Sequence, residues 1–199
     1  LKNGVLDELR KMKDEGKIRN LGVSVEKVEE ALKAIEYDNV TTVQIIFNMF
    51  RHRPRDRFFP EAVARDVGVI VRVPLASGLL TGKFNKATTF DEGDHRHFNR
   101  QGAAFDRGET FSGVDYEEAL EAVEELKGAL PDNATMAQSA LRWILDHPAV
   151  STVIPGASRV EQLRQNVETS ELPPLSTGLH GSIDDLYERR IKPSVHQRW

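Results

Sequence analysis

Apolar positions along this chain fall into helical stripes that alternate with short apolar runs. Leu6, Leu9 and Met12 recur at helical spacing, and Gly16 is placed to stop that helix. Ile18 to Val23 reads as a short strand. Ser24 then stands at an N-cap position ahead of a helix whose face is Val28, Leu32 and Ile35. Val40 to Phe47 is rich in β-branched residues and reads as a second strand. Pro60 to Val67 is a short helix, and Gly68 to Ala76 a third strand. Residues 77–114 carry little periodicity, and a loop that long is a functional lid or a disordered insert. Asp115 with Glu118 resembles a capping box, and Leu120, Val123, Leu126 and Leu130 follow on one helix face. A helix over Ala134 to Asp146 stops before Pro148. Val150 to Ile154 is a fourth strand, with a helix over Val160 to Val167 behind it. The tail, 171–199, holds one more short helix around Ile183 to Arg190.

Helices alternating with short apolar strands predict an α/β fold with a parallel sheet and crossover helices. Four strands fit an open doubly wound sheet or part of a (β/α)8 barrel. A whole barrel needs about 200 residues at least and eight strands, so four strands in 199 residues are too few to close one.

Composition narrows the classes. Charged residues make up 29% of the chain, yet the net charge is only −4, so no nucleic-acid surface is expected. There is no cysteine, which removes disulfide and thiolate chemistry and fits a cytoplasmic protein. No apolar run approaches the roughly 20 residues that span a bilayer, so no membrane segment is expected. The charged amphipathic start is not a signal peptide. The chain begins without Met, inside an alternating pattern, and is read as a piece of something longer.

Polar residues recur at one end of the strands. Ser24 follows the first, Gln44 interrupts the second, Arg72 the third, and Gly156 and Ser158 follow the fourth. One polar residue in a strand has an ordinary explanation as a satisfied core group. Four successive strands with polar residues at the end that carries ligand sites in parallel α/β folds point to a binding site. The stretch Ser151 to Asn166 is the most informative. An apolar run ends in Pro155-Gly156, then Ser158 and Arg159 open a helical pattern. A strand that turns through glycine into a helix presents free N–H groups and a positive dipole end, and an arginine there suits a phosphate. Pro74 to Lys83 adds two glycines and a terminal lysine, which allow close backbone approach to a phosphate. It has neither the Walker A nor the GxGxxG spacing.

Together the segments GKIRNLGVS (16–24), VQIIFN (43–48), VIVRVPLASGLLTGKF (69–84) and VIPGASRVEQLRQN (153–166) resemble the aldo-keto reductase family, over nearly the whole chain. The resemblance implies a (β/α)8 TIM barrel that uses NADP(H) to interconvert carbonyls and alcohols. This chain would supply strands five to eight, the cofactor-binding half. Residues 1–199 are then one C-terminal half-barrel with a long loop at 77–114. Carried over, Ser24 and Gln44 would hold the nicotinamide carboxamide, with Val25 where the family often has Asn or Arg. Arg72 would take the place of an aromatic side chain that stacks on the ring. A cation there is expected to disfavour the oxidised, positively charged cofactor. Pro74, Leu75, Ala76, Ser77, Gly78 and Lys83 would wrap the pyrophosphate. Gly156, Ser158, Arg159, Gln162, Gln165 and Asn166 would hold the adenosine-2′-phosphate end, and Arg159 would favour NADPH over NADH.

The family's chemistry uses a tyrosine proton donor with a lysine, an aspartate and a histidine, from its barrel's first half. Tyr37, Tyr116 and Tyr187 show none of that context, so no catalytic residue is assigned. His95 and His97 are close in sequence, but no further ligands converge on them and no metal site is assigned. The resemblance therefore implies an NADP(H)-dependent oxidoreductase acting on a small carbonyl substrate, with the catalytic set outside this chain. A half-barrel would leave unpaired strand edges and an apolar inner face in water, so either the missing first half or self-association is expected. Two other readings stay open: an NADPH-binding regulatory subunit, as in channel-associated members of the family, and an unrelated phosphate-binding barrel of aldolase type.

Overall fold

A fully parallel sheet organises the chain, in the order β1-β2-β3-β4. The computed structural model describes residues 4–131 and 133–199. The strands are β1 Leu21–Ser24, β2 Val40–Ile46, β3 Gly68–Arg72 and β4 Val150–Val153. The helices are α1 Val5–Asp14, α2 Val28–Ala34, α3 Phe58–Ala64, α4 His95–Phe98, α5 Tyr116–Ala129, α6 Met136–Leu145, α7 Val160–Glu168, α8 Thr177–Leu186 and α9 Lys192–Val195.

Strand alternation separates two faces. Val43, Ile45, Val69 and Val71 are buried in a core shared with Ala31, Ala62, Trp143 and Ile144 of the helices. The alternate positions line up in register as Gly22, Thr42 and Gly68, then Ser24, Gln44, Ile70 and Thr152. That face mixes small and polar residues with Ile70 and, in register with Arg72, the fully buried Ile46. The expected apolar inner face is therefore apolar only in part. Stranded edges are present: among the described residues β1 and β4 each pair on one side only, and Gly22, Ser24, Ser151 and Thr152 are exposed.

Several boundaries differ from the sequence pattern for local reasons. Ser24 ends β1 and does not cap α2. The N-cap is Lys27, and the Glu30 carboxylate accepts the N–H groups of Glu26 and Lys27, each at 3.0 Å. β3 stops at Arg72 because Val73 turns left-handed (φ 50°) just before Pro74, which has no N–H to continue a ladder. Asp115 caps α5 as expected, accepting the N–H groups of Glu117 and Glu118. The Glu118 carboxylate, however, reaches Arg190 at 2.9 Å and ties the tail to α5. The C-terminal helix is longer than its apolar pattern: it starts at the Ser176 cap and runs through a π-helical turn, Tyr187–Ile191, into α9.

Residues 77–114 form a folded lid. Asn99 is fully buried, accepts the N–H groups of Ala104 and Phe105 at 3.0 Å, and donates to Thr110 Oγ1 at 3.2 Å. Asn48, at the end of β2, donates to Ser112 Oγ at 2.8 Å. These bonds fasten the return of the lid across the C-terminal edge of the sheet. No helix among the described residues is long and apolar enough to cross a membrane.

Candidate functional site

The C-terminal ends of β3 and β4 and the lid enclose a cavity of about 590 Å³. The turn after β3 forms one wall. Val73, Ala76, Ser77 and Gly78 all have positive φ, so the backbone curls tightly on itself. Gly78 at φ 100° packs against Phe84, where an added Cβ would come within 2.8 Å of the ring. Left-handed non-glycine residues cost on the order of 1 kcal/mol each, and such strain clusters at ligand sites. Pro74, Leu75, Ser77, Gly78 and Lys83 line the cavity. Ala76 lies beneath it, fully buried in the core. The Ser77 hydroxyl joins turn to lid, donating to the Glu109 carbonyl at 3.0 Å and accepting the Phe111 N–H at 3.1 Å.

The opposite wall comes from the β4–α7 connection, with Gly156, Ser158, Gln162, Gln165 and Asn166 on the cavity. Gln162 and Asn166 sit one helical turn apart on the same face of α7. The Gln162 side-chain carbonyl accepts the Ser158 N–H at 2.8 Å and its hydroxyl at 3.0 Å, which shapes the turn. α7 begins at the Arg159 N-cap with no side-chain cap, so its first-turn N–H groups and dipole remain available to an anion. Arg159 is exposed beside this end and does not line the cavity itself; among the described residues neither it nor Lys83 has an acidic partner. The Asn166 Nδ2 amide is buried without a partner. A buried amide donor left open, an uncapped helix start and two free cations suit a phosphorylated nucleotide.

Ser24 and Gln44 lie outside this cavity, side by side on the polar face of the sheet. Gln44 Nε2 donates to Ser24 Oγ at 3.2 Å. Arg72 stands between the two regions with its side chain largely buried. Its Nη1 meets Glu109 Oε1 at 2.5 Å, and its Nη2 meets Glu26 Oε1 at 2.5 Å and the Val25 carbonyl at 3.1 Å. The expected repulsion of an oxidised ring assumed an unpartnered cation; the guanidinium is instead held by two carboxylates. Burial and the hydrogen bond with Glu109 push the Glu26 carboxyl up to about 7, against the pull of Arg72. Burial also works to raise Glu109, but hydrogen bonds from Glu26 and Arg72 and the charges of Arg72 and Arg51 hold it below the usual carboxylate range.

Sequence reasoning missed the lid's share of the wall. His95, Arg96 and Glu109 come from the lid, and Thr135 and Gln138 from the start of α6. Arg96 is held by Asp94, Nε to Oδ1 at 2.9 Å, and lies 4.8 Å over the Phe90 ring. The Arg96 hydrogen bond draws Asp94 down to about 2. The Thr135-x-x-Gln138 capping box was a usable signal for the α6 start. Nothing in the lid's sequence marks which of its charges turn inward. No tyrosine lines the cavity: Tyr116 donates to the Asn85 carbonyl at 3.2 Å, and Tyr187 meets His196 Nδ1 at 2.9 Å. Among the described residues no group of three or more His, Asp or Glu gathers as metal ligands.

Comparison with known proteins defines the class. The sequence profile of the aldo/keto reductase family matches residues 3–188. This chain belongs to that family. It is 27% identical over 165 residues to the uncharacterized oxidoreductase YqkF of Bacillus subtilis, covering 83% of this chain and 49% of that protein. It is 35% identical over 133 residues to a probable voltage-gated potassium channel subunit beta of Arabidopsis thaliana, covering 66% of this chain and 38% of that protein. Among solved structures, the glycerol dehydrogenase AKR11B4 of Gluconobacter oxydans superposes with a TM-score of 0.73 at 27% identity, over 92% of this chain and 53% of that one. The chain thus spans about half the length, or less, of the relatives it matches.

Proposed function

We propose that this chain is the cofactor-holding half of an NADP(H)-dependent aldo-keto reductase, equivalent to strands five to eight of the family's barrel, acting on aldehydes or ketones. The observation that supports it most is the cavity: residues from two separate turns, 74–83 and 156–166, converge on one wall set whose free groups match a phosphorylated nucleotide. Lys83 and the curled backbone at 74–78 suit the pyrophosphate. The α7 start with Arg159 suits the 2′-phosphate, and the open Asn166 amide suits an adenine acceptor nitrogen. Ser24 and Gln44 present a hydroxyl and an amide to a carboxamide. When bound, the nicotinamide supplies the hydride that reduces a carbonyl carbon. The residues here position that ring and exclude water with the lid; the proton donor comes from outside the chain.

The two unpaired edges support a partner that completes the barrel, either the family's first half or a second copy of this chain. A second functional reading, an NADPH-binding regulatory subunit without significant turnover, is favoured by the 35% identity to the channel subunit relative. Membership in the family removes the case for an unrelated aldolase-type barrel. Titration of the chain with NADPH and NADH, followed by nicotinamide fluorescence, tests the reading. Preference for NADPH that falls in Arg159→Ala supports it; absence of saturable NADPH binding contradicts it.

A further inference from the structure

We infer that Glu26, Arg72 and Glu109 form a charge clasp that makes this site discriminate between the oxidised and reduced cofactor, with Glu26 as the residue that sets the discrimination. The inference rests on the reading above, with the nicotinamide ring at Arg72, where the family resemblance puts the stacking side chain.

One guanidinium serves two carboxylates. Arg72 Nη1 and Nη2 each hold a different one at 2.5 Å, so the clasp joins the end of β3, the β1–α2 connection and the lid. Arg72 Nε and Glu26 Oε2 are both buried without a hydrogen-bond partner, so the clasp's second negative charge is met only through space, by Arg51. Behind it lies Arg51, buried, its three guanidinium nitrogens unpartnered and its centre 4.2 Å over the Trp199 ring. Asp106 offsets that cation from the lid, where its Oδ1 accepts from Trp199 Nε1 at 2.7 Å. The α2 charges nearby are already engaged: Glu29 with Arg53, Lys33 with Glu36, and Glu30 with backbone N–H groups of Glu26 and Lys27. From the tail, Tyr187 stays protonated, since burial pushes its hydroxyl up to about 12. Arg51 stays charged even though burial lowers it to about 10.

Glu26 is therefore the member of this set that titrates near neutrality. Below about 7 the Glu26–Arg72–Glu109 clasp is neutral; above it the clasp carries one negative charge. An oxidised nicotinamide is a cation and a reduced one is neutral. The affinity for NADP+ relative to NADPH should rise as pH passes upward through this range, on the order of five- to tenfold for unit charges several ångströms apart in a partly solvated site. By linkage, NADP+ binding should expel a fraction of a proton from Glu26 to solvent, and NADPH binding should not. The 2′-phosphate titrates at about 6 in both forms. It therefore cancels in the ratio.

The experiment is calorimetric titration of the full 199-residue chain with NADP+ and with NADPH at pH 6 and pH 8.5, and at pH 7 in two buffers of different ionisation enthalpy. The expected result is a NADP+/NADPH affinity ratio five to ten times higher at pH 8.5, with more protons released on NADP+ than on NADPH binding. Both signatures should vanish in Glu26→Gln, which keeps the hydrogen-bonding shape. Glu109→Gln, which also removes one charge, should lower the ratio at pH 8.5. A pH-independent ratio in a chain that binds both nucleotides overturns the clasp alone, as does a pH effect that survives Glu26→Gln. Binding of neither nucleotide overturns the cofactor reading and the clasp with it.

Discussion

The Gly108 Cα and the Arg51 guanidinium are packed so closely that a Cβ on Gly108 would lie 2.0 Å from Arg51 Nη2 and 2.7 Å from the Trp199 ring. This contact joins three parts distant in sequence: the connection after β2, the lid, and the C-terminal tail. Gly108, Arg51 and Trp199 are all buried. Gly108→Ala must push aside a buried cation and an indole together. It should destabilise the chain by about 2 kcal/mol or more, in the upper part of the usual range for overpacking. Chemical denaturation of the variant checks this, and an unchanged midpoint would show that the tail is not seated against the lid.

Ser77 gives the lid a second fastening. Loss of its hydroxyl leaves the Phe111 N–H and the Glu109 carbonyl without their partner in a part-buried place. Ser77→Ala should cost about 1 kcal/mol and loosen the lid locally. Limited trypsin digestion reads the difference. Cleavage after Lys83, Lys86, Arg96 or Arg100 should accelerate while the sheet stays intact. Equal cleavage rates for both proteins would show that Asn48 and the Asn99 network hold the lid alone.

Two buried histidines should cost the chain stability as the pH drops below neutral. Burial pushes His147 down to about 4, aided by the charges of Arg55 and His180. Burial likewise holds His52 well below its ordinary value, with Arg55 adding to it. Both histidines are neutral in the folded chain and take up protons readily once unfolded. Their contribution is full above the unfolded value of about 6.5 and is lost as the pH falls toward the folded values. For His147 the window runs from about 6.5 down to about 4, and up to roughly 3 kcal/mol is at stake. Glu26, raised to about 7, works the other way over nearly the same window, so the test is made in Glu26→Gln: urea denaturation at pH 7.5, 6 and 5 should give a steadily lower midpoint, and adding His147→Gln should flatten the slope. A midpoint independent of pH in Glu26→Gln would contradict the burial of these rings.

The open edges of the sheet carry a prediction about assembly. Among the described residues β1 and β4 are unpaired on their outer sides, and Val160, Leu163 and Val167 form an exposed apolar stripe along α7. In isolation the chain should self-associate, because such edges and stripes find partners. Light scattering that reports a stable monomer of 22.4 kDa at micromolar concentration would count against a barrel-completing surface.

The strands were legible because each is a short apolar run set between turn residues. Val43, Ile45, Val69 and Val71 carry that signal into the core. The two phosphate-facing turns were legible because glycine, proline and a following cation constrain the backbone directly. What was not legible depends on distance along the chain. Arg72 reads as a free cation until Glu26 and Glu109, 46 and 37 residues away, fold against it. The lid has no periodicity because its order comes from single buried polar groups such as Asn99, and not from an apolar face. Ser24 looked like a helix cap because local pattern cannot reveal that Glu30 caps α2 from within.

Hydrogen–deuterium exchange with and without NADPH reads whether the two turns hold the cofactor together. NADPH should slow exchange in two separate segments, 74–84 and 156–166, with a smaller effect in the lid around Glu109 and little elsewhere. No protection at saturating NADPH, or protection confined to segments away from these two turns, would contradict it.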